Sequence, residues 1–336
     1  MTIFSDSLRA FLKPVVPFLD DAEVSEVLIN GPREVFVERR GKLERTSAVF
    51  TEDGLLAAAR NMAQFVGRPL SEERPRLDAR LPDGSRIHVV LPPVARNGTT
   101  VAIRKFSPDK LTVSDLIARG SMTAEVARFL EAAVRAKLNI VVAGGTGSGK
   151  TSLLNALATF IPEDERILTI EDSAELQLRK PHVVAFESRP PDRNGKGAID
   201  MGELLHSALR LRPDRIVVGE VRGLCLLSGV ELPLIAVRAQ VASAIGLVVC
   251  CARLADGSRK VTDVAEVLPL DERGEHRVQE LWKFASSGRS ADGAVQGRLS
   301  ATGATPRCQA KLDAVGFSDA ESTQRAQHPL GSESRG

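Results

Sequence analysis

Residues 138–151 read Leu138-Asn-Ile-Val-Val-Ala-Gly144-Gly-Thr-Gly-Ser-Gly-Lys150-Thr151. An apolar, β-branched run enters a Gly-x4-Gly-Lys-Thr loop. The run Ser152-Leu-Leu-Asn-Ala-Leu-Ala158, rich in good helix formers, leaves it. Strand, glycine loop and helix in that order make a phosphate cradle. Glycines let the backbone approach an anion closely, and loop N–H groups with a helix N-terminus supply positive partial charge. The cradle is Gly144, Gly145, Thr146, Gly147, Ser148, Gly149, Lys150 and Thr151. Lys150 is expected to reach the β- and γ-phosphates of a nucleoside triphosphate, and the Thr151 hydroxyl to ligate Mg²⁺. ATP and Mg²⁺ are therefore the expected ligands.

The flanks of this loop divide the chain. Its 336 residues suffice for two cores. The expected division is a smaller mixed α/β domain over 1–106, a linker over 107–122, an α/β domain over 123–317 and a disordered tail over 318–336. In the first part, Val35 to Arg45 reads as a hairpin and Asp53 to Val66 as an amphipathic helix. Arg86–Leu91 and Thr99–Arg104 read as strands. In the second part, Thr123–Ala136 reads as a helix. Strand-like runs at 139–143, 166–170, 183–186, 216–218 and 245–251 alternate with helical ones. Met201, Leu204, Leu205, Ala208 and Leu209 fall on one helix face. Alternating β and α elements predict a mostly parallel sheet covered by helices. The composition after Ser286 turns to Gly, Ser and Ala.

Composition narrows the function classes. The charge is nearly balanced, with 45 Lys+Arg against 43 Asp+Glu. There is no basic stripe, one Trp and no Tyr, so no nucleic-acid partner is expected. The longest uncharged apolar stretch, Ala239–Ala252, has fourteen residues. A membrane helix needs about 20. With no signal-peptide pattern at the start, the expected location is cytoplasmic. Cys225, Cys250, Cys251 and Cys308 include no C-x-x-C pair, which argues against zinc and a disulfide framework.

Two more segments carry suitable chemistry. Thr169-Ile-Glu171-Asp172 ends a predicted strand in two carboxylates, at the end where sites open in parallel sheets. Arg215-Ile-Val-Val-Gly-Glu220-Val-Arg222 ends another strand in a carboxylate and an arginine. Glu220 could order an attacking water or support the magnesium shell.

The run GGTGSGKTSLLNALATFIPEDERILTIEDSAELQL (144–178), followed by FESRPPDRNGKGAIDMGELLHSALRLRPDRIVVGEVRG (186–223), resembles the type II/type IV secretion ATPases. Within them it is similar to the tight-adherence (Flp) pilus assembly branch. LDARLPDGSRIHVVLPP (77–93), TTVAIRKF (99–106), LLSGVELPLIAVRAQVASAIGLVV (226–249) and GRLSATGATPR (297–307) extend the resemblance over most of residues 20–317. It implies a RecA-like P-loop core behind the N-terminal domain. It also implies a homohexameric ring and inner-membrane platform partners in a secretion or pilus machine, with the protein peripheral to that membrane. By resemblance, Gly144–Thr151 are the Walker A loop, Glu171 and Asp172 the acidic box, and Glu220 the Walker B glutamate with Arg222 after it. Arg86 and Arg104 match the arginines that reach the phosphates when the two domains close.

The chain also departs from the pattern. Where the family continues with a helix and a histidine-bearing strand segment, Gly223 here runs directly into Leu224-Cys-Leu-Leu-Ser-Gly. None of His88, His182, His206, His276 and His328 lies in such a motif. The resemblance thus implies an internal deletion that removes a strand expected between the Walker A and Walker B strands. ATP binding is expected and turnover is in doubt. The alternatives to a working motor subunit are an impaired nucleotide-binding regulator or paralogue, and a non-functional deletion product.

Overall fold

The computed structural model describes residues 3–81, 83–106, 111–189, 191, 196–220, 234–291 and 293–317. The chain forms two compact units, 1–109 and 110–336.

The first unit is built on one antiparallel sheet. Its strands are β1 (Val24–Asn30), β2 (Val35–Arg39), β3 (Lys42–Arg45), β4 (Arg76–Arg80), β5 (Arg86–Val90) and β6 (Thr100–Arg104). Their order is β3-β2-β1-β6-β5-β4. Helix α3 (Glu52–Phe65) follows the short helices α1 (Ile3–Phe11) and α2 (Val16–Asp20). Thr51 caps α3 by accepting from the Gly54 amide, and Leu55, Ala59, Met62 and Ala63 on its apolar face are buried. They join Val27, Ile29, Ile87, Val89, Val101 and Ile103 in one core. The residues at 35–45 do form the predicted hairpin, β2 paired with β3.

The second unit opens with α4 (Val113–Ala118), in a stretch expected to be linker. A Thr112–Asp115 capping box starts it, and Leu116 is buried in the unit's core. Next come α5 (Ala124–Arg135), β7 (Ile140–Gly144), α6 (Lys150–Ala158), β8 (Ile167–Glu171), β9 (Val183–Glu187), α7 (Met201–Leu209) and β10 (Arg215–Val218). Beyond residue 233 lie α8 (Leu234–Ala244), β11 (Leu247–Arg253), β12 (Arg259–Leu268), β13 (Arg277–Arg289), β14 (Val295–Ala301) and α9 (Gln309–Asp313). On α7 the face is narrower than its spacing suggests: Met201 and Ala208 are buried, but Leu209 is 61% exposed.

The expectation of a mostly parallel sheet is corrected. The described strands make two sheets, β10-β8-β9 and β14-β13-β12-β11-β7. The first is parallel throughout. In the second, only β7 and β11 are parallel; β11 to β14 form an antiparallel meander. Meander strands need only tight turns, so no helix separates them to announce them in sequence.

Candidate functional site

The site is assembled at the C-terminal ends of β7, β8 and β10. Strand β7 delivers Gly144 into the loop, and α6 begins at Lys150. A side chain at Gly144 is impossible, because its Cβ would stand 2.2 Å from the Cys251 carbonyl oxygen on β11. The parallel pairing of Gly144 with Cys251 thus requires glycine where the loop departs. Gly149 caps α6 in a left-handed conformation with no side-chain hydrogen bond to the helix, so the leading N–H groups are left to an anion. The loop is held from within. Ser148, 3% exposed, donates its hydroxyl to the Gly145 carbonyl at 2.8 Å. The Lys150 ammonium donates to the carbonyls of Gly144 at 2.9 Å and Gly145 at 2.7 Å.

Carboxylates lie beside the loop. The Thr151 hydroxyl donates to Glu175 at 3.0 Å. The amides of Glu175 and Leu176 both donate to Glu171 Oε1 at 2.8 Å. Glu171 is buried, and desolvation pushes its carboxyl above the usual range. The two amide bonds oppose that rise, while the nearby Glu175 and Glu187 add to it. Gly219 closes over it: a Cβ there would lie 3.0 Å from Glu171 Cγ, and its amide donates to the Ile170 carbonyl at 2.8 Å. The predicted Glu220 therefore follows a residue packed on Glu171. Asp172 turns to β9, accepting from the Ser188 hydroxyl at 2.5 Å. Arg222 lies outside the described residues.

Arg86 and Arg104 belong to the other unit. They are register partners on β5 and β6 and line a cavity of about 240 Å³ with Glu26, Asp78 and His88. Arg104 stands 3.8 Å from Glu26.

Two arginines against the loop were missed by the sequence reading. Arg253 ends β11, Arg259 begins β12, and they are cross-strand partners. Arg259 Nε donates to the Gly147 carbonyl at 2.7 Å. A methyl group built on Gly147 would lie 3.5 Å from a terminal nitrogen of Arg253. The signal was present: Asp256-Gly257 is a turn pair with an arginine three residues before Asp256 and another three after it, so a hairpin brings both together. Asp256 fixes that turn, accepting from Ser258 and from the Val295 amide. Those bonds, led by the Ser258 hydroxyl, hold its carboxyl down at about 2.

The residues present fit a triphosphate with magnesium. The loop cannot tolerate a Cβ at its entrance, its helix lacks a side-chain cap, and a hydroxyl–carboxylate pair supplies the hard oxygens that Mg²⁺ prefers. Among the described residues, no cluster of three or more His, Cys, Asp or Glu could hold a metal by itself.

The chain is similar to several known proteins. An uncharacterized protein of Methanocaldococcus jannaschii is 44% identical over 214 residues, covering 61% of this chain and 30% of that protein. The type IV secretion system protein VirB11 of Brucella suis is 37% identical over 243 residues, covering 65% of this chain and 67% of its own length. The crystal structure of the VirB11 ATPase from the Brucella suis type IV secretion system, in complex with sulphate, aligns with 78% of this chain and 94% of its own. Its identity is 29% and its TM-score 0.35. The chain thus spans less than a third of the archaeal relative it matches. The model of the type II/IV secretion system protein family matches residues 10–242, from the first unit through the phosphate loop and β10 into α8, and the chain belongs to that family.

Proposed function

We propose that this chain is an ATP-binding subunit of a type II/IV secretion or Flp-type pilus assembly machine, with a RecA-like core that has lost an internal strand segment. The observation that carries the reading is the phosphate loop: Gly144 locked by Cys251, an uncapped α6 and Lys150 folded over the loop. In it, the Gly144–Thr151 backbone and Lys150 hold the β- and γ-phosphates. Thr151 would hold Mg²⁺, with Glu220 supporting its shell. The ion would neutralise charge developing between the β- and γ-phosphates. Glu171, dry and beside Gly219, orients the Glu220 segment, and Glu220 orders the attacking water. Asp172 and Arg222 complete the acidic and basic rim. Arg86 and Arg104 read the γ-phosphate as the 1–106 and 123–317 domains close around ATP.

The partners proposed are further copies of the chain in a hexameric ring, and inner-membrane platform proteins that hold it at the cytoplasmic face. No described helix is long and apolar enough to cross a membrane.

A second reading, a subunit that binds nucleotide but scarcely hydrolyses it, is favoured by one observation. Among the described residues β7 and β10 belong to different sheets, so no described strand pairing joins the strand that feeds the loop to the strand that ends before Glu220. Misplacement by about 1 Å can cost a hundredfold in rate. Phosphate release by the purified chain decides between the two, measured beside a relative that has the histidine-bearing segment and in the same oligomeric state. Turnover about a hundredfold lower is expected, with restoration when that segment is inserted after Gly223. Equal rates would sink the second reading. Absence of ATP binding would sink both.

A further inference from the structure

The segment Arg80-Leu-Pro-Asp-Gly-Ser-Arg86 recurs as Arg253-Leu-Ala-Asp-Gly-Ser-Arg259, with one position changed. The two turns carry the same bonds. The Asp83 and Asp256 carboxylates each accept from the serine two positions on. Its amide donates at 2.9 Å in both turns, and its hydroxyl at 2.9 Å in the first and 2.7 Å in the second. The amides of Gly84 and Gly257, at φ of +88° and +85°, donate to the carbonyls of Leu81 and Leu254 at 2.9 Å. Each turn sets its two arginines opposite one another on paired strands, Arg80 with Arg86 and Arg253 with Arg259. The first pair includes an arginine proposed above to read phosphate. The second stands against the phosphate loop.

That place is electrostatically unfavourable for a cation. Like charges directly opposite on neighbouring strands repel. A positive side chain at a helix N-terminus meets the positive end of the helix dipole. Arg259 meets both conditions. Its Cδ would lie 3.4 Å from a Cβ built on Gly149, the N-cap of α6, and its Nε holds the Gly147 carbonyl. Arg253 comes within 3.5 Å of a Cβ built on Gly147. Lys150 adds a third cation in the first turn of α6, and that turn has no acidic residue. The one carboxylate in the hairpin, Asp256, is engaged by Ser258 and the Val295 amide. Local rules are broken in this way at functional sites, where a ligand supplies what the chain lacks. Here the missing partner is a polyanion.

We infer that Arg253 is a further phosphate-binding residue, set beside Arg259 to take the α-phosphate of the bound nucleotide. This role rests on the loop's being the nucleotide site, and it assigns the one phosphate to which the reading above gives no group. Thr151 bonds Glu175, which follows β8, a strand of the other sheet from the hairpin. Mg²⁺ held there covers the β- and γ-phosphates, so the charge left bare is that of the α-phosphate. A guanidinium suits it, because its planar fork offers two parallel donors to phosphate oxygens. Arg259, with its Nε on Gly147, is the positioning residue that holds the hairpin on the loop.

Calorimetric titration of the full chain with Mg-ADP and with Mg-AMP-PNP, a non-hydrolysable ATP analogue, tests this. In Arg253→Ala both affinities should fall about tenfold or more, the loss expected for a hydrogen bond to a charged group. The factor should be the same for both ligands, since both carry the α-phosphate, and for ADP it should persist in EDTA. Arg253→Lys should recover part of the loss. The empty Arg253→Ala chain should melt no lower than the parent, because one of two facing cations is gone. Arg298→Ala removes an exposed arginine from β14 and should leave both affinities unchanged. Four results would overturn the inference. They are unchanged affinities in Arg253→Ala, a loss confined to AMP-PNP, an equal loss in Arg298→Ala, and a lowered melting temperature of the empty Arg253→Ala chain. A parent chain that binds neither ligand would overturn the loop as the nucleotide site as well. Normal binding in Arg253→Ala beside lost binding in Lys150→Ala would overturn the role of Arg253 alone.

Discussion

Arg259 donates its Nε proton to the carbonyl oxygen of Gly147 at 2.7 Å, joining the β11–β12 hairpin to the phosphate loop across 112 positions of sequence. Its cross-strand partner Arg253 lies against the same glycine. Arg259→Ala is expected to weaken binding of a fluorescent ATP analogue about three- to tenfold, with an unchanged melting temperature because the side chain is exposed. Arg259→Lys should recover only part, since a point charge lacks the planar fork. Full affinity in Arg259→Ala would show that the arginine braces nothing the nucleotide uses.

Lys150→Ala and Thr151→Ala probe the loop itself. The first removes the cation bonded over Gly144 and Gly145, the second a hydroxyl bonded to Glu175. Each should weaken Mg-ATP binding at least tenfold, about 1.4 kcal/mol. For Thr151→Ala the loss should be smaller when EDTA replaces Mg²⁺. Equilibrium titration measures both, and unchanged affinity in the pair places the nucleotide elsewhere.

Closure around ATP gives a third prediction. Only a ligand with different contacts in two states shifts their balance. If Arg86 and Arg104 read the γ-phosphate, ATP should compact the chain more than ADP does in small-angle scattering, and Arg104→Ala should abolish the difference. Identical profiles with both nucleotides in the parent chain would remove the two arginines from the site.

Glu171 makes stability depend on pH. Its folded carboxyl is raised, chiefly by burial. The protonated form is therefore favoured on folding; the benefit is complete below the unfolded value near 4 and is lost as pH rises through the raised folded value. Glu171→Gln keeps an acceptor for the Glu175 and Leu176 amides without a charge to bury. Urea unfolding should show the variant gaining on the parent from pH 4 to pH 8. A constant difference would mean that burial is not what raises this carboxyl.

Asp256 has the opposite sign. Held at about 2 by the Ser258 hydroxyl and backbone amides, it stabilises the fold above the unfolded value near 4. That stability is lost as pH falls from 4 toward 2. Because the group is largely solvated, Asp256→Asn should cost only about 1 kcal/mol at neutral pH, and a small fraction of that at pH 2, where the parent carboxyl is half protonated. Urea midpoints at the two pH values test this.

The legible parts of the chain share a physical cause. β7, β8 and β10 are short β-branched runs ended by glycine or carboxylate, and α3 and α5 show apolar spacing behind a threonine cap. β4 reads Arg-Leu-Asp-Ala-Arg and β13 buries only Leu281 and Trp282 along thirteen residues, so neither has an apolar face long enough to show periodicity. Within the site, the loop and Glu171 stood out because local sequence builds them. Arg253 and Arg259 did not, because only the pairing of β11 with both β7 and β12 brings them to Gly147. Gly144's contact with Cys251 was hidden for the same reason.

The pairing of β7 with β11 also has a consequence for synthesis. Ile140 waits for Leu247, and Gly144 for Cys251, more than a hundred positions downstream. Contacts that close so long a loop form late, and domains are completed in the order in which the ribosome releases them. The meander β11–β14 is local and can fold as soon as it emerges. A nascent chain therefore carries the whole Gly144–Thr151 motif through roughly a hundred further residues of elongation without the strand that shapes it. Nucleotide affinity should appear abruptly, when β11 clears the exit tunnel.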